Sequence, residues 1–312
     1  LKVADSFPTT HYVPGFIKKW MEDVTAASGG LVEFEYYGAE QLGKAKDMLT
    51  LVQSGVADVA YVAPSYVSEK MPLSTVAELP GGFETSCEGT RAYWKLATGD
   101  GIIAKREMQP NGVRLVMTGL GAPYQIISTK QLDTLASLGG QKLRSYGGHQ
   151  DTALKDLGAV PVRMPAPEMY EAVTRGTLDG VVLPYASVFS YRLQDQVKFA
   201  TVGQNFGSVA LNYVMNEQKW KTLPQKVMDA MTKAGPAAVE HACQYMDRDA
   251  EASAEKLRKG GVSMVKFSAD DQKQIDAKVK GIAPKWAADL DRRGKPGSET
   301  LKAFTAALGK PS

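Results

Sequence analysis

The sequence predicts an α/β protein of two similar lobes, each built on a parallel or mixed sheet. Residues 141–184 read as strand, helix, strand, helix, strand, and this order predicts a parallel sheet because parallel neighbours must be joined by crossover helices. The same order opens the chain. Residues 48–64 and 169–184 also share one pattern, a helix followed by Gly-x-x-Asp, an apolar strand and a proline. These observations predict two related lobes with a crevice between them.

The first lobe begins with a strand that runs into a turn after Asp5. Residues 12–27 carry their large apolar side chains on one face, which predicts an amphipathic helix. Residues 31–38 alternate in polarity as a strand does. A helix and an apolar strand ending at Pro64 complete this unit. Ligands of open parallel sheets bind outside the carboxyl ends of the strands, so the turn after Asp5 is expected to face the crevice.

The second unit repeats this order. A strand over 141–145 is closed by Gly147 and Gly148, whose permissive backbone suits an abrupt turn. Next come a helix over 149–157, a strand over 159–164, a helix over 168–175 and a strand over 179–183. The other predicted elements are helices over 88–97, 101–108, 187–194, 269–292 and 298–308, and strands over 113–118, 197–202 and 262–267.

Three long segments are expected to join the lobes. Residues 119–129 and 207–216 read as extended crossings, and residues 225–258 read as one helix long enough to span both lobes, with a candidate break at Gly235-Pro236. We therefore divide the chain into a first lobe, 1–122 with 208–245, and a second lobe, 123–207 with 246–312.

The bulk composition is that of an ordinary globular protein. The chain has 312 residues, 44% of them hydrophobic and 23% charged, and its length suits two domains or one large one. Its net charge of +3 is small, and the basic residues are dispersed, so nothing indicates nucleic-acid binding. No apolar run reaches the ~20 residues that span a bilayer. Because the chain begins on a strand at Leu1, we expect a secreted monomer whose signal peptide has been removed, although a trimmed chain would look the same.

No motif commits the chain to catalysis or to a metal or cofactor. Residues 38–44 match the spacing of a phosphate-binding loop, but Ala45 follows where a magnesium-binding hydroxyl is needed, so we expect a turn into a helix. Cys87 and Cys243 lack the paired spacing of a zinc site; we expect free buried thiols, with a long-range disulfide as the alternative. None of the three histidines, His11, His149 and His241, has metal-ligand spacing. His11 and His149 each follow a first strand and are expected to be solvated or hydrogen-bonded turn residues, with a role in the cleft as the alternative.

Arg144 is the candidate anion-binding residue. It stands near the end of the strand predicted over 141–145, three residues before Gly147. A planar guanidinium there matches a carboxylate with two parallel hydrogen bonds, a stronger contact than a lysine makes. A surface ion pair, the more common fate of an arginine, is the alternative. Arg163, at the end of the next strand, is the second candidate. Aromatic residues at predicted strand ends and crossings are candidates for an apolar wall, with core packing as the alternative for each: Tyr12, Tyr66, Phe83, Tyr124, Tyr146, Tyr185 and Phe206.

Several segments in a fixed order resemble one family along nearly the whole chain. They are LKVADSFPTTH at the start, QLG at 41–43, SGVADVA, ISTK, the GGQKLR that carries Arg144, VPVRMPAPEMYEAVTRGTLDG, and W..LP at 220–224. In order and spacing the chain resembles the DctP family, the periplasmic solute-binding proteins of tripartite ATP-independent periplasmic (TRAP) transporters. The resemblance implies a periplasmic binding protein fold whose two α/β lobes close on an organic anion. It also implies that Arg144 pairs with the ligand carboxylate.

The departures from the family pattern bear on the ligand. Many sialic-acid and dicarboxylate binders of this family carry a further arginine near the position of Tyr124. After the Asp-Gly that corresponds to Asp179-Gly180, they also carry a Glu-x-Pro motif followed by Asn. This chain has Tyr124, then Val182-Leu183-Pro184 with Ser187. The resemblance therefore implies a less polar pocket that suits a monocarboxylate, either an aromatic acid or a hydroxy acid.

The sequence predicts a non-enzymatic binding protein that captures a small organic acid and delivers it to the TRAP membrane permease. Two alternatives remain at this stage. One is the binding component of an ATP-driven importer. The other is a two-lobed enzyme acting on a small carboxylate, because a fold does not determine a function; such an enzyme would need an acid/base or metal constellation in the cleft.

Overall fold

The computed structural model describes residues 1–309 and confirms the α/β class. The strands are β1 Lys2–Ala4, β2 Glu35–Tyr37, β3 Val59–Val62, β4 Val113–Met117, β5 Gln125–Ser128, β6 Lys142–Ser145, β7 Val160–Arg163, β8 Gly180–Leu183, β9 Phe199–Thr201, β10 Asn212–Asn216 and β11 Ser263–Val265. The α-helices are α1 Val13–Ser28, α2 Met48–Gln53, α3 Ser86–Ala97, α4 His149–Asp156, α5 Met169–Thr174, α6 Tyr185–Ser190, α7 Glu217–Lys221, α8 Gln225–Lys259, α9 Ala269–Lys280, α10 Ile282–Arg292 and α11 Gly297–Ala307.

The strands form two mixed sheets, one in each lobe. The first has the order β2-β1-β3-β10-β4 and the second the order β11-β9-β5-β8-β6-β7. β1 is parallel to both of its neighbours, and so is β6. β10 and β5 each run antiparallel to both of their neighbours. Each of these antiparallel strands follows a crossing and enters its sheet from the other lobe.

The two crossings lie side by side between the lobes. Leu120 and Ala210 form an antiparallel bridge, and the Tyr124 N–H donates to the carbonyl oxygen of Gly207 at 2.9 Å. The predicted crossings therefore pair with each other as a two-stranded ribbon. Such a narrow connection is where two lobes can bend relative to one another.

α8 is a single helix of 35 residues that contacts both lobes. It packs against α1, α3 and β4 of the first lobe and against α6 and β11 of the second. It continues through Pro236, so the candidate break is wrong. Gly235 lets α8 approach β4 closely, since a Cβ atom there would lie 3.0 Å from the Val116 carbonyl oxygen. Tertiary packing along the buried face of α8 outweighs the hydrogen bond that one proline removes.

The expectation of free thiols is wrong, because Cys87 and Cys243 form a disulfide. Cys87 lies in the first turn of α3 and Cys243 in the middle of α8, and their Cα atoms are 4.6 Å apart. On α8, the Asp247 carboxylate accepts hydrogen bonds from the backbone N–H groups of Ser86 and Cys87 at 2.6 and 3.1 Å, and so caps α3. The cysteines are 156 residues apart in sequence, so only the packing of α3 on α8 brings them together.

The last two helices pack on the first lobe, whereas we expected residues 246–312 to belong to the second. Trp286 of α10 and Phe304 of α11 are buried in one apolar cluster with Leu73 and Val76 of the first lobe, and α11 contacts α3. β11 does join the second sheet. The buried apolar faces of α10 and α11 therefore carry the chain back to the first lobe.

Several elements differ from the predicted ones. The helix predicted over 187–194 is α6 and ends at Ser190. The strand predicted over 31–38 is confined to β2. The helix predicted over 269–292 is divided at Gly281 into α9 and α10, in keeping with the low helix propensity of glycine. The helix predicted over 101–108 contains a π-helical turn, Ala104–Met108. Within residues 1–309, no helix combines the length and the apolar character needed to cross a membrane.

Candidate ligand-binding site

A cavity lies between the lobes at the carboxyl ends of β1, β3, β6 and β8. The first lobe lines it with Ser6, Phe7, His11, Tyr12, Val13, Tyr61 and Tyr66. The second lobe contributes Tyr124, Arg144, Tyr146, Ala166, Leu183, Pro184, Ser187 and Tyr191, and the crossings contribute Gly121, Val209 and Leu211. The cavity therefore occupies the crevice that the strand order predicts.

Arg144 provides the positive charge of the cavity. Its side chain is only 2% exposed. Nε donates to the carbonyl oxygen of Met164 at 3.0 Å, and Nη2 donates to the hydroxyl of Tyr66 at 3.1 Å. Both acceptors are uncharged, and none of the ion pairs within residues 1–309 involves Arg144. A buried charge without a counter-charge is costly, so this guanidinium is suited to an anionic ligand.

Tyr66 connects Arg144 to the first lobe. Its hydroxyl oxygen accepts hydrogen bonds from Arg144 and from the Ala166 N–H at 3.0 Å. A phenolic oxygen that accepts twice still has its own proton to donate. Tyr66 can therefore add a neutral hydrogen-bond donor beside the guanidinium.

The walls of the cavity are mostly aromatic. The rings of Phe7 and Tyr61 lie 4.6 Å apart, and Tyr124 meets Tyr146 edge to face at 6.1 Å. Burial raises the pKa values of Tyr61, Tyr124, Tyr146 and Tyr191 well above the ordinary value. These phenols are neutral at physiological pH and present flat, uncharged surfaces to a ligand.

His11 is a neutral member of the wall. It is 5% exposed, and burial lowers its pKa to about 3. Its Nδ1 accepts a hydrogen bond from the Val13 N–H at 3.2 Å, and its Nε2 lies 3.5 Å from the hydroxyl oxygen of Ser187 in the second lobe. His11 therefore adds polarity to the cavity without adding charge.

The buried acids of the neighbourhood do not line the cavity. Burial raises the pKa of Glu78 to about 8 and that of Glu107 to about 7. Glu78 lies beside the crossing, where its carboxyl accepts a hydrogen bond from the Ala210 N–H at 3.2 Å. Among the cavity-lining residues of the described chain, Arg144 alone carries a charge at neutral pH.

Asp5 shapes the turn that follows β1. Burial raises its pKa to about 6. Its carboxylate accepts hydrogen bonds from the Phe7 N–H at 3.0 Å and from the hydroxyls of Tyr36 and Tyr213 at 2.9 and 2.6 Å. These bonds anchor the turn that places Phe7 and His11 in the wall.

The lobes contact each other around the cavity. The Tyr146 hydroxyl donates to the carbonyl oxygen of Glu78 at 2.7 Å, and Arg163 Nη2 donates to the carbonyl oxygen of Ser65 at 3.1 Å. Both bonds run from the second lobe to the first. The structure is therefore a closed arrangement in which the lobes share the cavity.

The structure brings together these residues that the sequence nominated: Arg144, Tyr12, Tyr66, Tyr124, Tyr146 and Ser187. Arg163 lies outside the cavity lining, because its side chain turns over Gly147 and reaches the Ser65 carbonyl. The remaining nominated aromatics also lie outside. The Tyr185 hydroxyl donates to the Thr201 carbonyl oxygen, and Phe83 and Phe206 are buried in the cores.

Sequence reasoning did not nominate Phe7, His11, Tyr61 or Tyr191 as ligand-binding residues. Phe7 and His11 follow the first strand, whose turn was expected to face the crevice, so their position was a usable signal. Tyr61 belongs to the apolar strand that the repeated pattern identified. Tyr191 follows the short helix α6, and no pattern in the sequence marks it.

One cluster in the described part of the chain has the composition of a metal site. The Cys87 and Cys243 sulfurs and a Glu240 oxygen lie within 4.8 Å of one another. Both sulfurs are joined in the disulfide, and a thiolate is the form of cysteine that binds metal. The cluster therefore does not suit a metal ion.

Two α/β lobes that are joined by a crossing ribbon and closed over a cavity define a two-lobed solute-binding protein. The chain belongs to the DctP family, described as bacterial extracellular solute-binding protein family 7, which it matches over residues 3–289. The family resemblance drawn from the sequence motifs is confirmed.

Known proteins of this kind are similar along most of the chain. The C4-dicarboxylate-binding periplasmic protein DctP of Rhodobacter capsulatus is 25% identical over 303 residues, which cover 94% of this chain and 86% of that protein. A TRAP periplasmic solute-binding protein of Bordetella bronchiseptica with bound (R)- and (S)-mandelate is 25% identical, with a TM-score of 0.88 and coverage of 99% and 98%. A TRAP solute-binding protein of Rhodoferax ferrireducens with copurified benzoate is 23% identical, with a TM-score of 0.89 and coverage of 99% and 97%. The fold is that of TRAP solute-binding proteins.

Proposed function

We propose that this protein captures a small monocarboxylic acid, either an aromatic acid or a hydroxy acid, and delivers it to a TRAP membrane permease without changing it chemically. The observation that carries the proposal is the buried guanidinium of Arg144, which has no anionic partner within residues 1–309. A carboxylate can form two hydrogen bonds with such a group. Closure of the lobes then removes water from the ion pair, so binding and closure reinforce each other.

The composition of the walls supports an apolar or aromatic ligand body. Flat rings from both lobes surround the space beside Arg144, among them Phe7, Tyr61, Tyr124 and Tyr146. Aromatic pairs contribute ~0.5–1.5 kcal/mol beyond the burial of apolar area. The mandelate and benzoate found in the two similar structures have this combination of ring and carboxylate.

A C4-dicarboxylate is the competing ligand class, since the similar protein of Rhodobacter capsulatus is named for it. Its second carboxylate would enter a cavity whose lining offers one cation, Arg144, and a histidine that burial keeps neutral. Burying that charge without a partner is unfavourable by several kcal/mol. The charge of the lining therefore supports a monocarboxylate.

The lining also supports binding rather than catalysis. An enzyme acting on a small carboxylate needs an acid or base whose pKa lies near the working pH. The acids with raised pKa values, Asp5, Glu78 and Glu107, do not line the cavity, and His11, with a pKa near 3, is a weak base. Membership of the extracellular solute-binding family supports a location outside the cytoplasm, and the fold favours a TRAP permease over an ATP-driven importer. We propose that the protein acts as a monomer.

Isothermal titration calorimetry on protein that has been unfolded, dialysed and refolded to remove copurified ligand tests the proposal. The panel contains benzoate, phenylacetate, mandelate, the three hydroxybenzoates, lactate, succinate and malate. We expect at least one aromatic monocarboxylate to bind with a Kd of ~1 μM or lower, and the dicarboxylates to bind about 100-fold more weakly. Tighter binding of succinate or malate, or binding of no carboxylate at all, would overturn the proposal.

A further inference from the structure

We propose that His11 and Ser187 form an uncharged subsite, one residue from each lobe, that selects ligands carrying a hydroxyl group in addition to the carboxylate. The inference rests on the proposed function and deepens it. It names the chemical group that distinguishes ligands of this protein and the two side chains that recognise it.

The backbone determines which nitrogen of His11 carries the proton. The Val13 N–H donates to Nδ1 at 3.2 Å. A backbone N–H can only donate, so Nδ1 is an acceptor and bears no proton. Neutral imidazole has one proton, which must therefore be on Nε2. His11 thus presents an N–H donor to the cavity from the first lobe.

The position of His11 is held by its neighbours. Its ring centroid lies 4.4 Å from that of Phe7, 4.5 Å from that of Tyr12 and 5.1 Å from that of Tyr191. The ring is also tied to the first turn of α1 through Val13. The Nε2–H is therefore a fixed donor, which makes recognition of a matching group specific.

Ser187 supplies the complementary oxygen from the second lobe. It lies in α6 directly after the Pro184 turn, is 5% exposed, and lines the same cavity. Its hydroxyl oxygen is 3.5 Å from His11 Nε2, longer than the ~2.7–3.2 Å of a good N–H···O bond. The direct bond between His11 and Ser187 is therefore weak, and a ligand oxygen can replace it with shorter bonds.

A hydroxyl group matches this pair better than the alternatives do. Its oxygen can accept from the Nε2–H of His11 while its proton is donated to the oxygen of Ser187. A second carboxylate could accept from His11 but would bring a charge that no lining cation besides Arg144 offsets. An unsubstituted ring would leave His11 and Ser187 with only their weak bond to each other. Because His11 and Ser187 belong to different lobes, the hydroxyl would also join the lobes in the closed form.

The test compares pairs of acids that differ by one hydroxyl group. The probes are benzoate with each of its 2-, 3- and 4-hydroxy derivatives, and phenylacetate with mandelate. The measured quantity is the ratio of Kd values within each pair. For wild-type protein we expect at least one hydroxylated acid to bind about tenfold more tightly than its parent.

Ser187→Ala and His11→Phe are the informative variants. Ser187→Ala removes only the hydroxyl, and His11→Phe keeps a ring but removes the donor. In each variant we expect the affinity for the preferred hydroxylated acid to fall about tenfold more than the affinity for its parent. Ser190→Ala is the matched control. Its hydroxyl donates to the Ala186 carbonyl oxygen in the same helix and does not line the cavity, so the ratio should stay at the wild-type value.

The outcomes separate this inference from the proposed function. If no acid of the panel binds to the wild-type protein, both fail. If the parent acids bind but no hydroxylated acid is preferred, or if Ser187→Ala keeps the wild-type ratio, the subsite is wrong and the proposed function stands. Because Ser187→Ala removes a single oxygen, this conclusion holds even if His11→Phe, which deprives the Val13 N–H of its acceptor, fails to fold.

Discussion

The guanidinium of Arg163 lies against the α-carbon of Gly147, so closely that a Cβ atom at residue 147 would stand 2.5 Å from Nε. Gly147 has a φ of 99°, a backbone conformation that side chains disfavour. From this position Arg163 crosses to the first lobe and donates to the carbonyl oxygen of Ser65 at 3.1 Å. Arg163 therefore contacts the opposite lobe rather than the cavity. Its hydrogen bond stabilises the closed form.

Gly147→Ala should weaken ligand binding by displacing Arg163 and by straining the backbone. We expect a loss of at least tenfold in affinity and a lower melting temperature, since strained φ values cost ~1–3 kcal/mol. Calorimetry measures the affinity, and thermal unfolding measures the melting temperature. Gly176→Ala is the control, because Gly176 also has a positive φ of 69° but no atom within 4 Å of its Cβ position. Equal losses of affinity in the two variants would show that the contact with Arg163 is unimportant.

Arg163→Ala should reduce the affinity for every ligand by the same factor. The contact it removes joins the two lobes and does not involve the ligand, so only the closed form is weakened. A hydrogen bond of this kind contributes ~0.5–1.5 kcal/mol, or roughly two- to tenfold in affinity. Stopped-flow release should be faster in the variant. Arg175→Ala should behave as wild type, because this residue directly follows α5 and its exposed side chain pairs with Glu171 at 3.1 Å. A loss that differs strongly among ligands would place Arg163 in direct contact with them.

Arg144→Ala should abolish most of the affinity for carboxylates. Removing one side of a buried, hydrogen-bonded charge pair costs on the order of 2–5 kcal/mol. Arg144→Lys keeps the charge but loses the two-pronged geometry, so its affinity should lie between wild type and Arg144→Ala. Titration calorimetry tests the order, with circular dichroism to confirm folding. Wild-type affinity in a folded Arg144→Ala protein would contradict the site.

The disulfide should stabilise the first lobe without contributing to recognition. Replacing both Cys87 and Cys243 by Ala should lower the free energy of unfolding by ~2–5 kcal/mol, because the bond closes a long loop in the unfolded chain. Chemical denaturation measures the loss. Ligand affinity should stay within about twofold of wild type, since neither cysteine lines the cavity. The prediction fails if stability is unchanged, or if unfolding of the wild type is insensitive to a reductant.

Glu78→Gln should change the pH dependence of stability. The pKa of Glu78 is about 8 in the folded protein, against an ordinary value of 4.5. Between these pH values the folded state binds more protons than the unfolded state, so this group's contribution to stability falls as pH rises through that window. Glutamine has no such proton to lose. The variant should match wild type near pH 5 and exceed it increasingly toward pH 8, by several degrees in Tm.

Exposed Glu69 provides the control for this comparison. Its side chain is 92% exposed and its nearest ion-pair partner, Arg293, is 3.8 Å away. Glu69→Gln should therefore shift Tm by a small amount that is the same at pH 5, 6, 7 and 8. If the difference between Glu78→Gln and wild type is equally independent of pH, the Glu78 carboxyl is not protonated in the folded protein.

Local patterns in the sequence were sufficient to predict most helices and strands and to nominate Arg144 as the anion-binding residue. Alternation and helical spacing depend on side-chain directions that the local backbone determines, which is why the strand carrying Arg144 and the turn at Gly147 could be predicted. The crossings and the long helix α8 followed from their length and extended or periodic character. The order of the motifs around Arg144 indicated the family. The family resemblance in turn implied that the guanidinium pairs with the ligand carboxylate.

The remaining features depend on which surfaces meet when the lobes close. Arg163 was the second candidate for a ligand contact, and only the fold showed that its side chain turns over Gly147 toward Ser65. His11 became a cavity residue only because its turn faces Ser187 across the cleft. The disulfide and the return of α10 and α11 to the first lobe are likewise contacts between distant segments. Such contacts are selected by the burial of apolar surface and the pairing of buried polar groups over the whole chain, and no local pattern records them.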